Sequence, residues 1–350
     1  MKKSNYQNIL IVRTDRIGDV VLTTPTIHAL RQALPQARLS ILVAPATQDL
    51  VKGNPNLNQI LLDDRRAMHQ GLGGFLTLVN EIRRERFDAA IILHTKKRTN
   101  LLCFLAGIPL RIGYQNAKWG FLLNHPIEDT RHHGTKHEAD YCLDVLKALG
   151  LNIKPHPLTL FVPVQPSAEQ WAQQIFQQQG FPPTDKIFAL HPGASDPSKQ
   201  WPAKRFVELV EALSGRYAGR FILVGADNVK PIAQTICSST KVPILNLAGQ
   251  TTVSQMASLF KRCTMLISND SGPVHVAAGV GTPVVSIFTR NQPGINAQRW
   301  KPLGSKSRFI TVPLDNTLSF AKAGPHDPKY LELIQTHEVL EEVDALFKLC

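Results

Sequence analysis

The chain has 350 residues, 43% of them hydrophobic, which is enough for two ordinary domains. No apolar run reaches the roughly 18 residues that cross a bilayer, and the N-terminus offers only Lys2 and Lys3 before a short strand, so neither a membrane span nor a signal peptide is expected. The formal net charge is +12, from 39 basic and 27 acidic residues. Such a surface suits an anionic partner (nucleic acid, an acidic membrane or a phosphorylated ligand), or is a solvated face that aids solubility.

The charge is uneven. Residues 1–165 hold 21 Lys/Arg and 13 Asp/Glu. The stretch 94–118 contains Lys96, Lys97, Arg98, Arg111 and Lys118 and no acid. The five cysteines (Cys103, Cys142, Cys237, Cys263, Cys350) have no paired spacing and read as reduced core thiols of a cytosolic protein.

Strand and helix signals alternate along the chain, the pattern of parallel sheets covered by helices. In the first half, apolar runs predict strands at Ile9–Val12, Leu39–Val43, Gln59–Leu62, Ala89–Leu93 and Leu110–Gly113. Phe75, Leu78, Val79 and Ile82 share one face of a helix predicted over 75–86. A second helix, Glu138–Leu149, stops at Gly150. Pro155, Pro157, Pro163 and Pro166 mark a linker. The second half begins afresh with strands at Ile187–Leu190, Phe221–Val224, Ile244–Leu247, Met265–Ser268 and Val284–Phe288. Residues 313–330 read as loop, and Leu331–Leu349 as an amphipathic helix. The expected domains are 1–165, 166–330 and a C-terminal helical segment 331–350 that packs back on the first. Two doubly wound α/β halves would face each other across a cleft at the carboxyl ends of their strands, where ligands of such sheets bind.

Three motifs sit at such strand ends. The first, Arg13-Thr14-Asp15-Arg16-Ile17-Gly18-Asp19, follows the first strand. Asp19 is expected in the loop ahead of a helix that Thr24 caps and Pro25 opens. It is either a general base or a turn residue. The second, His191-Pro192-Gly193-Ala194-Ser195 with Lys199-Gln200-Trp201-Pro202, opens the second half. Gly193 lets backbone approach a ligand, Ser195 offers a hydroxyl and Lys199 a mobile charge, which is chemistry for a diphosphate. A plain surface loop is the other reading. The third is the turn Asn269-Asp270-Ser271-Gly272 between a strand and a short helix with Pro273 and His275. Free N–H groups and the helix dipole there suit an anion, and a well-capped helix is the bland alternative.

Several chemistries are excluded. Gly-x-Gly-x-x-Gly and the Walker loop are missing, so no dinucleotide fingerprint exists. Asp270, Ser271 and His275 crowd one turn without a Gly-x-Ser-x-Gly elbow, so no serine hydrolase is expected. His132, His133 and His137 lack further ligands at metal spacing. Nucleic-acid binding explains the charge, but the basic stretch interleaves only Phe104 and Tyr114.

Together the motifs resemble glycosyltransferase family nine, the lipopolysaccharide heptosyltransferases. The matching pieces are RTDRIGDVVLTTPTIHALR (13–31), FDAAIILH (87–94), KHEADYCLDVLKALG (136–150), HPGAS…KQWPAKRF (191–206), FILVGA (221–226), NLAGQTT (246–252) and SNDSGPVHVAAGVGTPVVSIF (268–288). The resemblance implies a GT-B fold of two Rossmann-like domains, acceptor in the first and donor in the second. It implies inverting transfer of heptose from ADP-L-glycero-D-manno-heptose to the inner core of lipopolysaccharide. That reaction would occur on the cytosolic face of the inner membrane, with peripheral attachment and no metal. Asp19 matches the catalytic aspartate and Lys199 the lysine that neutralises the leaving diphosphate. Asp270 matches the acid on donor hydroxyls, with Gly193, Ala194, Ser195, Ser271, Gly272, Pro273 and His275 around the donor. Arg16, Lys96, Lys97, Arg98, Lys136 and His137 fall in the acceptor half, facing anionic lipid A and Kdo groups. Where many members carry a Gly-Pro-Thr-like turn, this chain has Thr289-Arg290-Asn291-Gln292-Pro293-Gly294. The competing readings are a family member that moves another nucleotide sugar onto a surface glycan, and a non-catalytic protein that holds anionic glycolipid.

Overall fold

The computed structural model describes residues 6–151, 153, 157–182, 184–312 and 330–349. The chain divides into two compact units, Met1–Pro163 and Val164–Cys350. In chain order the first contains β1 (Asn8–Val12), α1 (Ile17–Val21), α2 (Thr24–Ala33), β2 (Arg38–Val43), β3 (Gln59–Leu62), α3 (Gly71–Arg84), β4 (Ala89–Ile92), α4 (Lys97–Leu105), β5 (Leu110–Tyr114), β6 (His125–Ile127) and α5 (Glu138–Ala148). The second contains α6 (Pro166–Gln178), β7 (Ile187–His191), α7 (Ala203–Tyr217), β8 (Arg220–Leu223), α8 (Lys230–Ser238), β9 (Ile244–Asn246), α9 (Val253–Arg262), β10 (Met265–Asn269), α10 (Gly272–Gly279), β11 (Val284–Phe288), α11 (Ala297–Trp300), β12 (Ser307–Thr311) and α12 (Thr336–Phe347).

The two sheets share one topology. The first is ordered β3-β2-β1-β4-β5-β6 and the second β12-β11-β10-β7-β8-β9, and each neighbouring pair is parallel. Counted from each unit's first strand, both orders are 3-2-1-4-5-6. The chain therefore reverses direction across the sheet between β1 and β4, and again between β7 and β10. Ligands of open parallel sheets bind at the carboxyl ends of strands flanking such a reversal.

The apolar runs explain the strands. Ile9, Leu10, Ile11 and Val12 are all fully buried, as strands covered on both faces must be. Ile11 and Val12 pair with Ile41 and Leu42 on one side and with Ile91 and Ile92 on the other. The predicted helix face Phe75, Leu78, Val79 and Ile82 packs under β1 and β4 in one core cluster. In the second unit Phe206, Leu209, Val210 and Leu213 of α7 do the same beneath β7 and β8.

Four expectations need correction. Asp19 lies within α1, one helical turn, not in a loop ahead of a helix. Thr23 precedes α2 as its cap residue, whereas Thr24 is inside the helix and its hydroxyl donates to the Val21 carbonyl at 2.7 Å. The C-terminal helix belongs to the second unit: Val339, Val343 and Leu346 of α12 enter the core beside α7, β11 and β12. Trp201, fully buried, donates its indole N–H to the Ile334 carbonyl at 2.9 Å and ties that segment down. Two edge strands, β6 and β12, were not foreseen. The expected loop 313–330 lies outside the described residues except at Tyr330, as does Pro155 of the linker. None of the helices among the described residues is long and apolar enough to cross a membrane.

Candidate functional site

At the reversal of the first sheet, β1 runs straight into Arg13, whose side chain is 1% exposed. A buried guanidinium must be paired. Its Nη2 donates to Asp19 Oδ1 at 2.6 Å and to Glu138 Oε1 at 3.1 Å, and Nη1 donates to the Leu93 carbonyl at 3.2 Å. Asp15 Oδ1 lies 3.1 Å from Nε. Three carboxylates, one from the turn after β1, one from α1 and one from the start of α5, thus share one cation. Burial pushes the Asp19 carboxyl up to about 6; Arg13 opposes this, and the nearby Asp15 and Glu138 reinforce it. A carboxylate poised there can accept a proton near neutral pH, as a general base requires.

Beside this cluster, at the end of β4, His94 Nδ1 sits 3.1 Å from the Thr14 hydroxyl. Burial, aided by Arg13, Lys96 and Arg65, holds the imidazole down at about 3, so it is neutral. Arg65 donates to the same Thr14 hydroxyl at 3.1 Å.

At the reversal of the second sheet, the loop after β7 and the turn after β10 are stitched together. Asn269 donates to the Pro192 carbonyl at 2.6 Å and accepts from the Trp201 N–H at 3.1 Å. The Asp196 carboxylate accepts from the Ser198 N–H at 2.9 Å and so caps the short turn 197–199. That turn delivers the Lys199 ammonium onto Asp270 Oδ2 in a tight ion pair. Asp270 is itself buried; burial raises its carboxyl, and Lys199 and then Arg290 pull it back down. Ser271 opens α10, yet its hydroxyl does not cap the helix. It donates to the Asn269 carbonyl at 3.1 Å and lies 3.1 Å from His191 Nδ1. Burial holds His191 down at about 4, again a neutral imidazole. The start of α10 therefore has no side-chain cap, next to a lysine, an arrangement suited to an anion.

The second unit gathers most of the expected donor residues at this reversal: Ser195 on the loop, Lys199 on its turn, Asp270, Ser271 and Gly272 at the end of β10, and Pro273 and His275 buried in α10. Ala194 is half-buried beside them. Gly193 has a packing requirement of its own. A Cβ on it would lie 2.5 Å from Val229 Cγ2, so the missing side chain admits Val229. Asp227 pairs with Lys230 at 2.7 Å, its side chain 84% exposed.

The expected acceptor residues divide. Arg16 is exposed at the start of α1. Lys97 is exposed at the start of α4, its ammonium 5.7 Å from the Trp119 ring centre. Lys96 is crowded by Lys118, which holds its ammonium below the ordinary lysine range. Arg98 is committed: its guanidinium makes bonds of 2.7 Å and 3.1 Å to the buried Asp63, whose charge those bonds hold in place against burial. Lys136 pairs with Asp144 at 2.7 Å, and His137 caps α5 by accepting from the Ala139 N–H at 3.2 Å. These three shape the basic half through protein partners. The His132 and His133 rings meet at a tilt of 42°, their centres 3.9 Å apart. Among the described residues no three His, Cys, Asp or Glu side chains are grouped to hold a metal.

Arg13, Glu138, Asn269, His191 and Arg290 had been given no role. For Arg13 a signal existed, since a charge abutting an apolar strand end must be buried with partners. For the others the telling partners lie far off in the chain: Glu138 meets Arg13 across 125 residues, Asn269 meets Trp201 across 68, His191 meets Ser271 across 80 and Arg290 meets Ser198 across 92.

Two doubly wound units of one topology, each with charged side chains gathered at its sheet reversal, are the frame of a GT-B glycosyltransferase. The family model of glycosyltransferase family 9 (heptosyltransferase) matches residues 75–329, and the chain belongs to that family. It is 24% identical over 346 residues to lipopolysaccharide heptosyltransferase 2 of Escherichia coli K12, covering 97% of this chain and 98% of that protein. Its structure is similar to that of a family 9 glycosyltransferase from Veillonella parvula (TM-score 0.89, 23% identity, 99% of both chains). It is also similar in fold to E. coli heptosyltransferase WaaC with ADP (TM-score 0.73, 16% identity, 97% of this chain and 100% of that one).

Proposed function

We propose that this glycosyltransferase moves a heptose from ADP-L-glycero-D-manno-heptose to the inner core of lipopolysaccharide, with inversion at the anomeric carbon. The observation that carries the reading is the pairing of Asp19, a half-buried carboxylate that desolvation raises toward neutral against the pull of Arg13, with a separate lysine-and-helix-terminus site in the second unit. Asp19 takes the proton from the acceptor hydroxyl as that oxygen attacks the anomeric carbon. The bond to the diphosphate breaks, and the charge growing on it is met by Lys199 and the N–H groups at Ser271–Pro273, without a metal. Asp270, released from Lys199, turns to the donor hydroxyls. His191 holds Ser271 in place, and Ser195 and His275 line the donor's surroundings. The acceptor's anionic groups meet Arg16, Lys96 and Lys97, with Arg98, Lys136 and His137 holding that surface in shape. The same basic half attaches the enzyme peripherally to the cytosolic face of the inner membrane.

The test is a calorimetric panel of nucleotides and nucleotide sugars. ADP and ADP-heptose should bind best, and Lys199→Ala should weaken both. A preference for UDP or GDP would replace the donor and favour the reading in which another nucleotide sugar is moved, for which the 289–294 segment is the specific reason. No nucleotide binding at all would favour a glycolipid-holding protein. Release from membranes in high salt is expected, and retention would count against electrostatic attachment.

A further inference from the structure

The first two residues after β11 grip the turn that carries Lys199. The Thr289 hydroxyl donates to the Ser198 carbonyl at 2.9 Å. Arg290 Nη1 donates to Ser198 Oγ at 2.9 Å and pairs with Asp196 Oδ2 at 3.3 Å, while Nη2 reaches Gln292 Oε1 at 3.2 Å. The Arg290 side chain is 16% exposed, so its charge is poorly screened by water. That charge reaches the Asp270 carboxyl.

Two cations from two different loops thus converge on one place, and each is held by an acid: Lys199 by Asp270, Arg290 by Asp196. A diphosphate carries more than one negative charge, and Lys199 alone is already balanced by Asp270. A planar guanidinium suits the spread oxygens of a phosphate better than a point ammonium does. We propose that Arg290 is a second phosphate ligand of this site, closing with Lys199 on a diphosphate so that both cations exchange their carboxylates for phosphate oxygens. This rests on the donor-site reading above. Arg290 stands two residues past the carboxyl end of β11, the strand beside β10, whose own end carries Asp270.

The test is calorimetric titration of the full chain with ADP, AMP and inorganic pyrophosphate, for the wild type and for Arg290→Ala, Arg290→Lys and Thr289→Val. Arg290→Ala should weaken ADP and pyrophosphate by about tenfold or more, the size of a charged hydrogen bond. AMP, which lacks the second phosphate, should bind as before and so report a folded site. Arg290→Lys should recover part of the loss. Thr289→Val loosens the same turn but keeps the charge, and its ADP affinity should stay near the wild type. Unchanged ADP and pyrophosphate binding in Arg290→Ala would overturn the proposal. So would an equal loss in Thr289→Val, because Arg290 would then only prop the Lys199 turn. If the wild type binds pyrophosphate but not ADP, the nucleotide-donor reading fails while the Arg290 comparison still decides. If it binds neither, both fall.

Discussion

The two sheet reversals have the same topology and opposite electrostatic logic. In the first unit one buried cation, Arg13, is shared by three acids, so negative charge is in excess and Asp19 is pushed toward accepting a proton. In the second unit, Lys199 and Arg290 lie against Asp270 and Asp196, beside a helix start without a side-chain cap, so the balance tips toward receiving an anion. Fold fixes where chemistry can occur, and the residues set on each strand end decide its sign.

The sharpest way to break the contrast is Asp19→Asn. The amide keeps the shape but cannot take a proton, so turnover should fall on the order of a thousandfold while ADP affinity holds. Retained turnover would remove Asp19 from the reaction. The converse change, Lys199→Ala, should lower kcat/KM by about a hundredfold and weaken ADP as well, since it strips a charge from the diphosphate. If it altered only acceptor KM, the assignment of the two units would be reversed.

A finer test uses Glu138, which never meets substrate in this scheme. Its charge helps raise Asp19, and it competes for the Arg13 guanidinium. Glu138→Gln should therefore lower the Asp19 pKa and move the acid limb of the kcat/KM profile, near pH 6 in the wild type, to more acidic pH. An unmoved limb with merely reduced activity would make Glu138 a structural residue. The same raised pKa affects stability. A carboxyl raised in the folded state contributes stability that is complete below its unfolded value, near 3.8, and is lost as pH rises through about 6. Asp19→Asn should thus unfold at a higher temperature than the wild type at pH 8, with the gap narrowing toward pH 4. A gap that widens on acidification would mean that Arg13, not burial, dominates.

How much of this was legible in the sequence follows from what is local. Central strands such as Ile9–Val12 and Val284–Phe288 are continuous apolar runs because both faces are covered, and they stood out. β6 is His125–Ile127 with Pro126 inside it, and β12 carries Arg308 and an exposed Phe309. Edge strands pair on one side only and need no apolar run, so they were silent. The motif positions of Asp19, Lys199 and Asp270 were visible as residues at strand ends. Their electrostatic settings were not, since Arg13 meets Glu138 across 125 residues and Lys199 meets Asp270 across 71.

Gly193 shows how one motif residue can answer to packing as well as to a ligand, and it yields the mildest prediction. Val229 Cγ2 occupies the space a Cβ would need, at 2.5 Å, with the His191 ring at 3.2 Å. Gly193→Ala should therefore cost about 1–3 kcal/mol by overpacking. Val229→Ala removes the obstructing methyl groups, so the double variant should be more stable than the sum of the single changes predicts. Equilibrium urea unfolding of the four proteins measures that coupling. ADP affinity in the double variant then separates the two roles. If Gly193 serves only to seat Val229, affinity returns along with stability. If stability recovers and ADP binding does not, backbone at 193 also touches the ligand, and the glycine has two causes instead of one.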